Sequence, residues 1–223
     1  MSGRALTAAD ADAFSACLAG GGVAVFPTDT VYGLAARAGD EAAVARIYAL
    51  KGRAPDKPAA TMWFDRDVAL AALEAESPLG PRLRAACEAL LPGGVTLLLP
   101  DIAASAGGVP RSPAGREPDP QSPAQAPARG VRVPRLEGPL AALAVVPHAV
   151  TQSSANLAGG PDPRTVAEIP AAIRAGADLV LDAGPLPGTP STVVDLRRYE
   201  ADGSWAIVRR GAVAEAAVAA ALG

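Results

Sequence analysis

Apolar runs and amphipathic segments alternate along the chain, and this alternation predicts an α/β fold. Apolar positions at helical spacing predict helices over 7–19, 40–51, 65–74, 81–91, 139–145, 166–175 and 212–222. Continuous apolar runs between Gly, Pro or polar residues predict strands over 23–26, 60–64, 95–99, 130–134, 149–152 and 179–181. Two later runs, 191–196 and 205–208, predict an antiparallel pair, which would make the sheet mixed.

A Pro-rich stretch at 101–129 interrupts the pattern. It contains six prolines and no aromatic residue, so it cannot bury enough apolar surface to fold alone. We therefore expect a flexible insertion inside a single domain that spans 5–222. A loop in this position can be a lid over a site or a merely tolerated insertion, and the sequence leaves both open.

Charge and composition narrow the cellular context. The net charge of −3 does not indicate long-range attraction to RNA. Cys17 and Cys87 are far apart without metal-ligand spacing, which favours free thiols in a reducing compartment. No apolar run approaches the roughly 20 residues needed to cross a bilayer. The first residues lack the apolar core of a signal peptide, so we expect a cytoplasmic protein.

The motifs that are missing narrow the chemistry. His148 is the only histidine and lies beside Pro147 in an apolar context, so we expect neither a Ser-His-Asp set nor a His-based metal site. The sequence has neither a G-x-x-x-x-G-K-[ST] loop nor a G-x-G-x-x-G turn after its first strand. Thr, Ser, Asn, Lys and Arg at the ends of predicted elements remain. Such side chains position and neutralise anions, as phosphoryl or nucleotidyl transfer requires.

The stretch 23–62 gathers most of these groups. Its first strand is followed by Thr-Asp-Thr at 28–30, the place where open α/β sheets bind ligands. A helix capped by Asp40 then ends in Lys-Gly-Arg at 51–53, with Lys57 close behind. We expect these cations to lie near the hydroxyls that follow the first strand. That arrangement suits a phosphate and a carboxylate held side by side.

Each motif alone is weak, but their order is specific. A basic pair after a helix is usually a solvated helix end. Here PTDTVYGL, KGRxxDKP, GVRVP, SSANLAG, STVVDL and RRG follow one another between about 24 and 213. In this order the chain resembles the YrdC-like family, the threonylcarbamoyl-AMP synthases that begin a tRNA modification at adenosine 37.

The resemblance implies a twisted mixed sheet flanked by helices, with a large concave ligand-binding face, in the short single-domain form of the family. It implies that L-threonine, bicarbonate and ATP, the last with Mg²⁺, are joined into L-threonylcarbamoyladenylate with release of pyrophosphate. The product would pass to a separate tRNA threonylcarbamoyl transferase complex. Direct binding of tRNA would be weak at most.

The resemblance also implies site residues, and no protein ligand for a metal. The family's K-x-R pair, to which catalysis is assigned, is Lys51 and Arg53, and its S-x-N pair is Ser154 and Asn156. Its threonine contacts fall at Thr30, Arg132, Ser154 and Ser191. Its ATP contacts fall at Arg53, Lys57, Asn156, Arg209 and Arg164, with Thr165 as the alternative to Arg164. All these roles require Arg132 and the 51–53 pair to face one hollow, where a two-pronged guanidinium at Arg132 would hold a carboxylate.

Three places depart from the family pattern. The family's W-P-G-P-L-T run is LPGGVT at 91–96. Met62 stands where relatives carry a polar residue such as His, and Ala128 stands where some carry a nucleotide-contacting Thr. We therefore expect one threonine contact and some ATP contacts to differ.

Two other functions compete with synthesis of the threonyl adenylate. YrdC-like domains also occur in enzymes that form a carbamoyl-adenylate from carbamoyl phosphate, but those carry further domains and zinc-binding cysteines that this sequence lacks. A non-catalytic module that binds double-stranded RNA or tRNA would use the same basic face, and the net charge argues mildly against it. The intact K-x-R, S-x-N and STVVD elements argue against a degenerate site.

Overall fold

The computed structural model of the chain describes residues 4–53, 59–101 and 128–223. Its strands are β1 Ala24–Pro27, β2 Tyr32–Arg37, β3 Ala60–Met62, β4 Val95–Pro100, β5 Ala128–Arg132, β6 Val150–Ser154, β7 Leu179–Val180, β8 Thr192–Asp195 and β9 Ala206–Arg209. These described strands form one nine-stranded sheet in the order β7-β1-β2-β6-β3-β5-β4-β8-β9. The pairs β1–β7, β3–β5 and β4–β8 are parallel and the others antiparallel. The predicted mixed α/β sheet is therefore confirmed.

The helices flank this sheet. They are α1 Ala8–Ala19, α2 Glu41–Lys51, α3 Arg66–Glu76, α4 Pro81–Leu90, α5 Ala171–Gly176, α6 Tyr199–Asp202 and α7 Glu215–Leu222, with 3₁₀ helices at Gly138–Val145 and Val166–Glu168. Thr7, Asp40 and Asp65 cap the first three by accepting a bond from a backbone N–H in the first turn. None of the described helices is long and apolar enough to cross a membrane.

The end of α2 decides where the basic residues of the K-x-R motif lie. Gly52 adopts the left-handed conformation (φ 57°), and the backbone N–H of Arg53 bonds back to the carbonyl of Tyr48. This closure ends the helix and turns the chain sharply. Lys51, the last residue of the helix, and Arg53, just after the turn, therefore both lie at the end of β6.

Strand register shows that the helices cover the two faces unequally. One face carries Val25, Leu34, Val131 and Leu97, and α2 and α5 at one end and α3, α4 and α7 at the other pack on it. On the opposite face, α1 and the 3₁₀ helix Gly138–Val145 cover only strands β1, β2, β6 and β3. Among the described residues, no apolar cluster covers that face of β5, β4 and β8. Arg132 lies there.

The aromatic cluster beneath α1 anchors the covered part of this face. The rings of Phe14, Phe26 and Phe64 lie with centroids 5.1 to 6.2 Å apart, in tilted and edge-on pairs that aromatic rings favour. Met62, which stands at a predicted threonine contact of the family, is fully buried in this cluster. Its side chain therefore belongs to the core.

One strand was missed and one helix was wrong in the sequence-based prediction. β2 follows the loop 28–31 and pairs antiparallel with β1, where no strand was predicted. Its Gly and two Ala residues have low strand propensity, so pairing on both sides determines its conformation. The helix predicted over 166–175 is divided, because Pro170 has no N–H with which to continue it.

The predicted insertion at 101–129 is too long at its carboxyl end. Ala128 and Arg129 belong to β5 and pair with Pro100 and Leu99 of β4. These two residues extend a ladder that is already in register, so the strand begins before its apolar positions do. Residues 102–127 of the insertion lie outside the described part of the chain. The domain limits 5–222 and the lid role stay predictions, while Cys17 and Cys87 are free thiols as expected.

Close backbone packing at Gly211 yields a test of the fold. A Cβ at this position would lie 2.3 Å from the carbonyl oxygen of Pro190 and 2.5 Å from the carbonyl carbon of Ser191. We expect Gly211→Ala to lower the free energy of unfolding by about 1–3 kcal/mol, as overpacking does. Urea denaturation measures the change. Gly20→Ala is the control, because its Cβ would meet atoms no closer than 3.4 Å, and equal effects of both changes would contradict the packing described.

Candidate functional site

Arg132 is the buried cation of the uncovered face. It is only 3% exposed at the end of β5, and its Nη2 donates to Asp29 Oδ1 (2.6 Å) and Thr30 Oγ1 (2.6 Å). Asp29 Oδ2 in turn accepts the backbone N–H of Arg135 (3.0 Å). The Nε of Arg132 is buried and has no hydrogen-bond partner among the described residues. A buried donor without a partner is costly, and the Nε of Arg129 on the same strand is likewise unpartnered among the described residues.

The two threonines of the loop after β1 have a defined hydrogen-bond polarity. The hydroxyl of Thr28 donates its one proton to the carbonyl of Val31 (2.7 Å). In the 3.0 Å contact between the two threonine hydroxyls, Thr30 must therefore be the donor. Since Thr30 Oγ1 also accepts from Arg132, only acceptor capacity remains on it. This hydroxyl can accept a hydrogen bond from an ammonium or hydroxyl group of a ligand, but it has no proton left with which to donate one.

Ser191 and Arg209 extend the polar surface beside Thr30. The Arg209 Nη2 donates to the carbonyl oxygen (2.8 Å) and to Oγ (3.2 Å) of Ser191, whose Oγ also lies 2.8 Å from Thr96 Oγ1. The carbonyl of Thr30 accepts the N–H of Gly188 (2.9 Å), two residues before the Pro190–Ser191 step. The start of β8 is therefore fixed next to the loop after β1.

Lys51 meets the S-x-N turn at the end of β6. Lys51 as a whole is 3% exposed. Its ammonium donates to the Ser154 carbonyl, to the Asn156 carbonyl (2.7 Å) and to Asn156 Oδ1 (2.9 Å). Asn156 also accepts from the Ser154 hydroxyl (2.6 Å) and donates to the carbonyl of Gly160 (2.5 Å). The structure thus brings the lysine of the K-x-R pair directly onto both members of the S-x-N pair. The contacts described hold this ammonium on the turn.

Arg53 also lies at the end of β6, where its Nη1 donates to the hydroxyl of Ser153 (3.0 Å). α2 approaches from the face opposite to Arg132, so Lys51 and Arg53 reach the site around the end of β6. The basic pair therefore meets the end of β6, and Arg132 is the cation beside the hydroxyls after β1. The expectation that the 51–53 cations lie near those hydroxyls stays a prediction.

Electrostatic coupling nevertheless joins the two groups in one region. Partial burial lowers the pKa of Arg209, and repulsion from Arg132 and Arg53 lowers it further, against an attraction by Asp162. Burial and then the charge of Arg53 lower the pKa of Lys51 to about 8, again against Asp162. Arg132 and Arg53 are thus both within electrostatic reach of Arg209, and the single hollow that the resemblance requires stays a prediction.

Two of the predicted ATP contacts, Arg164 and Lys57, stay predictions. Arg164 is exposed, and its side chain lies along Gly188. A Cβ added at Gly188 would be 3.2 Å from the Cβ of Arg164. Lys57 lies outside the described residues. A cavity of about 290 Å³ beside Thr28 and Asp29 contains none of the predicted site residues.

Four polar residues of the site were not singled out from the sequence: Asp29, Thr96, Ser153 and Asp162. Asp29 was named only as part of its motif. A carboxylate just after a strand, in a chain with an isolated Arg inside a later strand, was the available signal. The other three are ordinary strand or turn residues whose place depends on the register of the sheet.

The low pKa of Lys51 predicts a pH-dependent contribution to stability. The unfolded chain holds the lysine proton up to about pH 10.4, whereas the folded chain releases it near pH 8, so between these values the unfolded state binds more protons. This contribution to stability therefore rises with pH across that window. The melting temperature of the wild type relative to Lys51→Met should increase by a few degrees, on the order of 1–2 kcal/mol, from pH 7.5 to 9.5. A constant difference between the two proteins would contradict it.

Comparison with known proteins agrees with this geometry. A family model named for Sua5, YciO and YrdC, and described as "Telomere recombination", matches residues 16–211. A threonylcarbamoyl-AMP synthase of Nitrosococcus oceani is 33% identical over 167 residues, which cover 73% of this chain and 79% of the relative. One of Pyrococcus abyssi is 30% identical over 184 residues, which cover 80% of this chain and 48% of the relative.

A solved structure shares the fold. The crystal structure of P. abyssi Sua5 complexed with L-threonine aligns with a TM-score of 0.75 at 24% identity, over 98% of this chain and 58% of that one. The chain thus spans about half of the length of these P. abyssi relatives. Because the family model covers most of the sequence, and the N. oceani relative aligns over most of both chains, the chain belongs to the Sua5/YciO/YrdC family.

Proposed function

We propose that this domain synthesises L-threonylcarbamoyladenylate from L-threonine, bicarbonate and ATP and releases pyrophosphate. The observation that carries the proposal is the unpartnered, buried Nε of Arg132, placed beside the acceptor hydroxyl of Thr30 and within electrostatic reach of Arg209. A donor and an acceptor side by side suit the carboxylate and ammonium of an amino acid. The names of the relatives support the same activity.

The amino-acid half of the site comprises Thr30, Arg132, Ser154 and Ser191. The carboxylate would accept from Nε of Arg132, which has no partner among the described residues, while both protons of Nη2 are bonded to Asp29 and Thr30. The two-pronged grip expected from the sequence stays a prediction. Thr30 Oγ1, as an acceptor, would orient the amino group or hydroxyl of threonine.

The nucleotide half comprises Arg53, Lys57, Asn156, Arg164 and Arg209. Arg53 and Arg209 offer guanidinium groups that repel each other until an anion lies between them. A triphosphate bound between them would relieve that repulsion. Its own negative charge would be stabilised by attraction to both guanidinium groups. Mg²⁺ would enter with ATP as part of the substrate, bridging phosphate oxygens. Lys51 would act on the triphosphate through its positive charge while its ammonium holds the S-x-N turn.

The reaction requires positioning more than acid–base chemistry. The threonine ammonium would first lose a proton to water, and the resulting amine nitrogen would bond to the carbon of bicarbonate with release of water, giving a carbamate. A carbamate oxygen would then attack the α-phosphorus, and the bond to pyrophosphate would break. The residues of the hollow hold both charged partners and offset the developing negative charge, which supplies most of the rate in such transfers. The product would go to a tRNA threonylcarbamoyl transferase complex.

Release of pyrophosphate by the purified chain tests the proposal. We expect release that needs ATP, L-threonine and bicarbonate together, with the adenylate identified by mass spectrometry. Release with carbamoyl phosphate in place of threonine and bicarbonate would overturn the proposed reaction in favour of carbamoyl-adenylate formation. Strong, salt-sensitive RNA binding that is indifferent to ATP and threonine would instead indicate a binding module.

Arg132→Lys tests the amino-acid half separately. Lysine has no Nε–H donor at the position of that atom and cannot keep the bonds of the guanidinium. We expect KM for L-threonine to rise about tenfold or more, which corresponds to roughly 1.4 kcal/mol, while KM for ATP stays within about twofold. Arg46→Lys is the matched control, because Arg46 pairs with Asp178 (2.9 Å) outside the site. A rise in KM for ATP alone would place Arg132 in the nucleotide half instead.

A further inference from the structure

We propose that Asp29 is a positioning residue, which holds the guanidinium of Arg132 so that its Nε faces the carboxylate of the amino-acid substrate. This role rests on the proposed function, because it names the residue that prepares that site for its substrate. Asp29 lies within the PTDTVYGL motif but is not among the site residues that the resemblance assigns. The inference therefore depends on the contacts of this carboxylate alone.

The first argument is that Asp29 is held at both oxygens. Oδ1 accepts from Arg132 Nη2 at 2.6 Å, and Oδ2 accepts the backbone N–H of Arg135 at 3.0 Å. The bond to a backbone group means that the carboxylate does not simply follow the flexible arginine. Since Arg135 lies three residues beyond Arg132, Asp29 ties the loop after β1 to both the side chain and the main chain at the end of β5.

The second argument concerns the donors of the guanidinium. Nη2 carries two protons, and its two short bonds, to Asp29 and Thr30, account for both. These bonds fix the rotation of the planar group and leave the buried Nε unpartnered among the described residues. A donor held in one direction before binding loses less entropy when the ligand arrives. Without Asp29, Nη2 of Arg132 would keep only Thr30 and the longer contact with Thr28 Oγ1 (3.4 Å).

The third argument is charge. Arg132 repels Arg209, which in turn is repelled by Arg53. Asp29 offsets the charge of Arg132, because its side chain lies against that guanidinium with little exposure. The guanidinium that would meet the amino acid is therefore partly neutralised before the ligand binds. A partly offset charge favours a zwitterion over a polyanion at Arg132.

The experiment measures the binding of each substrate separately by calorimetry, with Asp29→Asn and Asp29→Glu. Asn removes the charge and can satisfy only one of the two donors, while Glu keeps the charge but displaces the guanidinium. We expect both to weaken L-threonine binding about tenfold or more, since small misplacements have large effects. The Kd for ATP should stay within about twofold.

Asp178→Asn is the matched control. Asp178 also bridges an arginine, Arg46 (2.9 Å), and a backbone N–H, that of Val23 (2.7 Å), but lies outside the site. It should leave both affinities unchanged. Unchanged or tighter threonine binding in the Asp29 variants would overturn the inference, and so would an equal loss of ATP binding. Should Asp29→Asn fail to fold, Asp29→Glu, which keeps the ion pair's charges, decides.

Arginine Nε–H resonances give a readout that does not depend on activity. The Arg132 signal, assigned by its loss in Arg132→Lys, should be sharp in the wild type and broadened in both Asp29 variants. It should shift when L-threonine is added to the wild type. A signal equally sharp in the variants would overturn the positioning role. A wild type whose signal is held by Asp29 but does not respond to threonine would overturn the proposed function instead.

Discussion

A buried ion pair joins two parts of the chain that the sheet separates. Arg132 ends β5 and Asp29 follows β1, and three strands lie between these two in the sheet. At about 4.8 Å per strand that separation would be roughly 19 Å along a flat sheet. The loop after β1 bridges this separation and brings Asp29 against Arg132. Removing one partner of such a pair costs about 3–5 kcal/mol, because the other charge is left buried and uncompensated.

A second buried cation organises the opposite side of the hollow. The ammonium of Lys51 donates hydrogen bonds to oxygens of Ser154, the last residue of β6, and of Asn156, two residues further on. Helix α2 is closed by Gly52 and packs on the other face of the sheet, so it supplies this ammonium from behind. Both halves of the site are therefore built in the same way. A cation from one element fixes the oxygens of a loop from another.

The difference between the halves lies in how their charges are balanced. Arg132 has a carboxylate directly against it, whereas Arg209 bonds to the carbonyl and hydroxyl of Ser191 and is attracted electrostatically by Asp162. A small zwitterion suits a guanidinium with a carboxylate beside it, and a polyanion suits the guanidinium groups of Arg53 and Arg209. Transfer between two such ligands needs them to be adjacent and oriented, and the chain has few groups for proton transfer in the hollow. The arrangement fits adenylate formation by positioning and charge.

The sequence by itself determined the fold class, most helices and strands, and the family, because apolar periodicity, helix caps and ordered motifs are local properties. It also proposed the cations of the site, an assignment that stays a prediction. It did not reveal β2, whose Gly and Ala residues become a strand only by pairing with β1 and β6. Nor did it show that Lys51 lies on the S-x-N turn or that Asp29 holds Arg132. Those contacts join residues about one hundred positions apart, and only strand order, register and the curvature of the sheet decide which side chains meet.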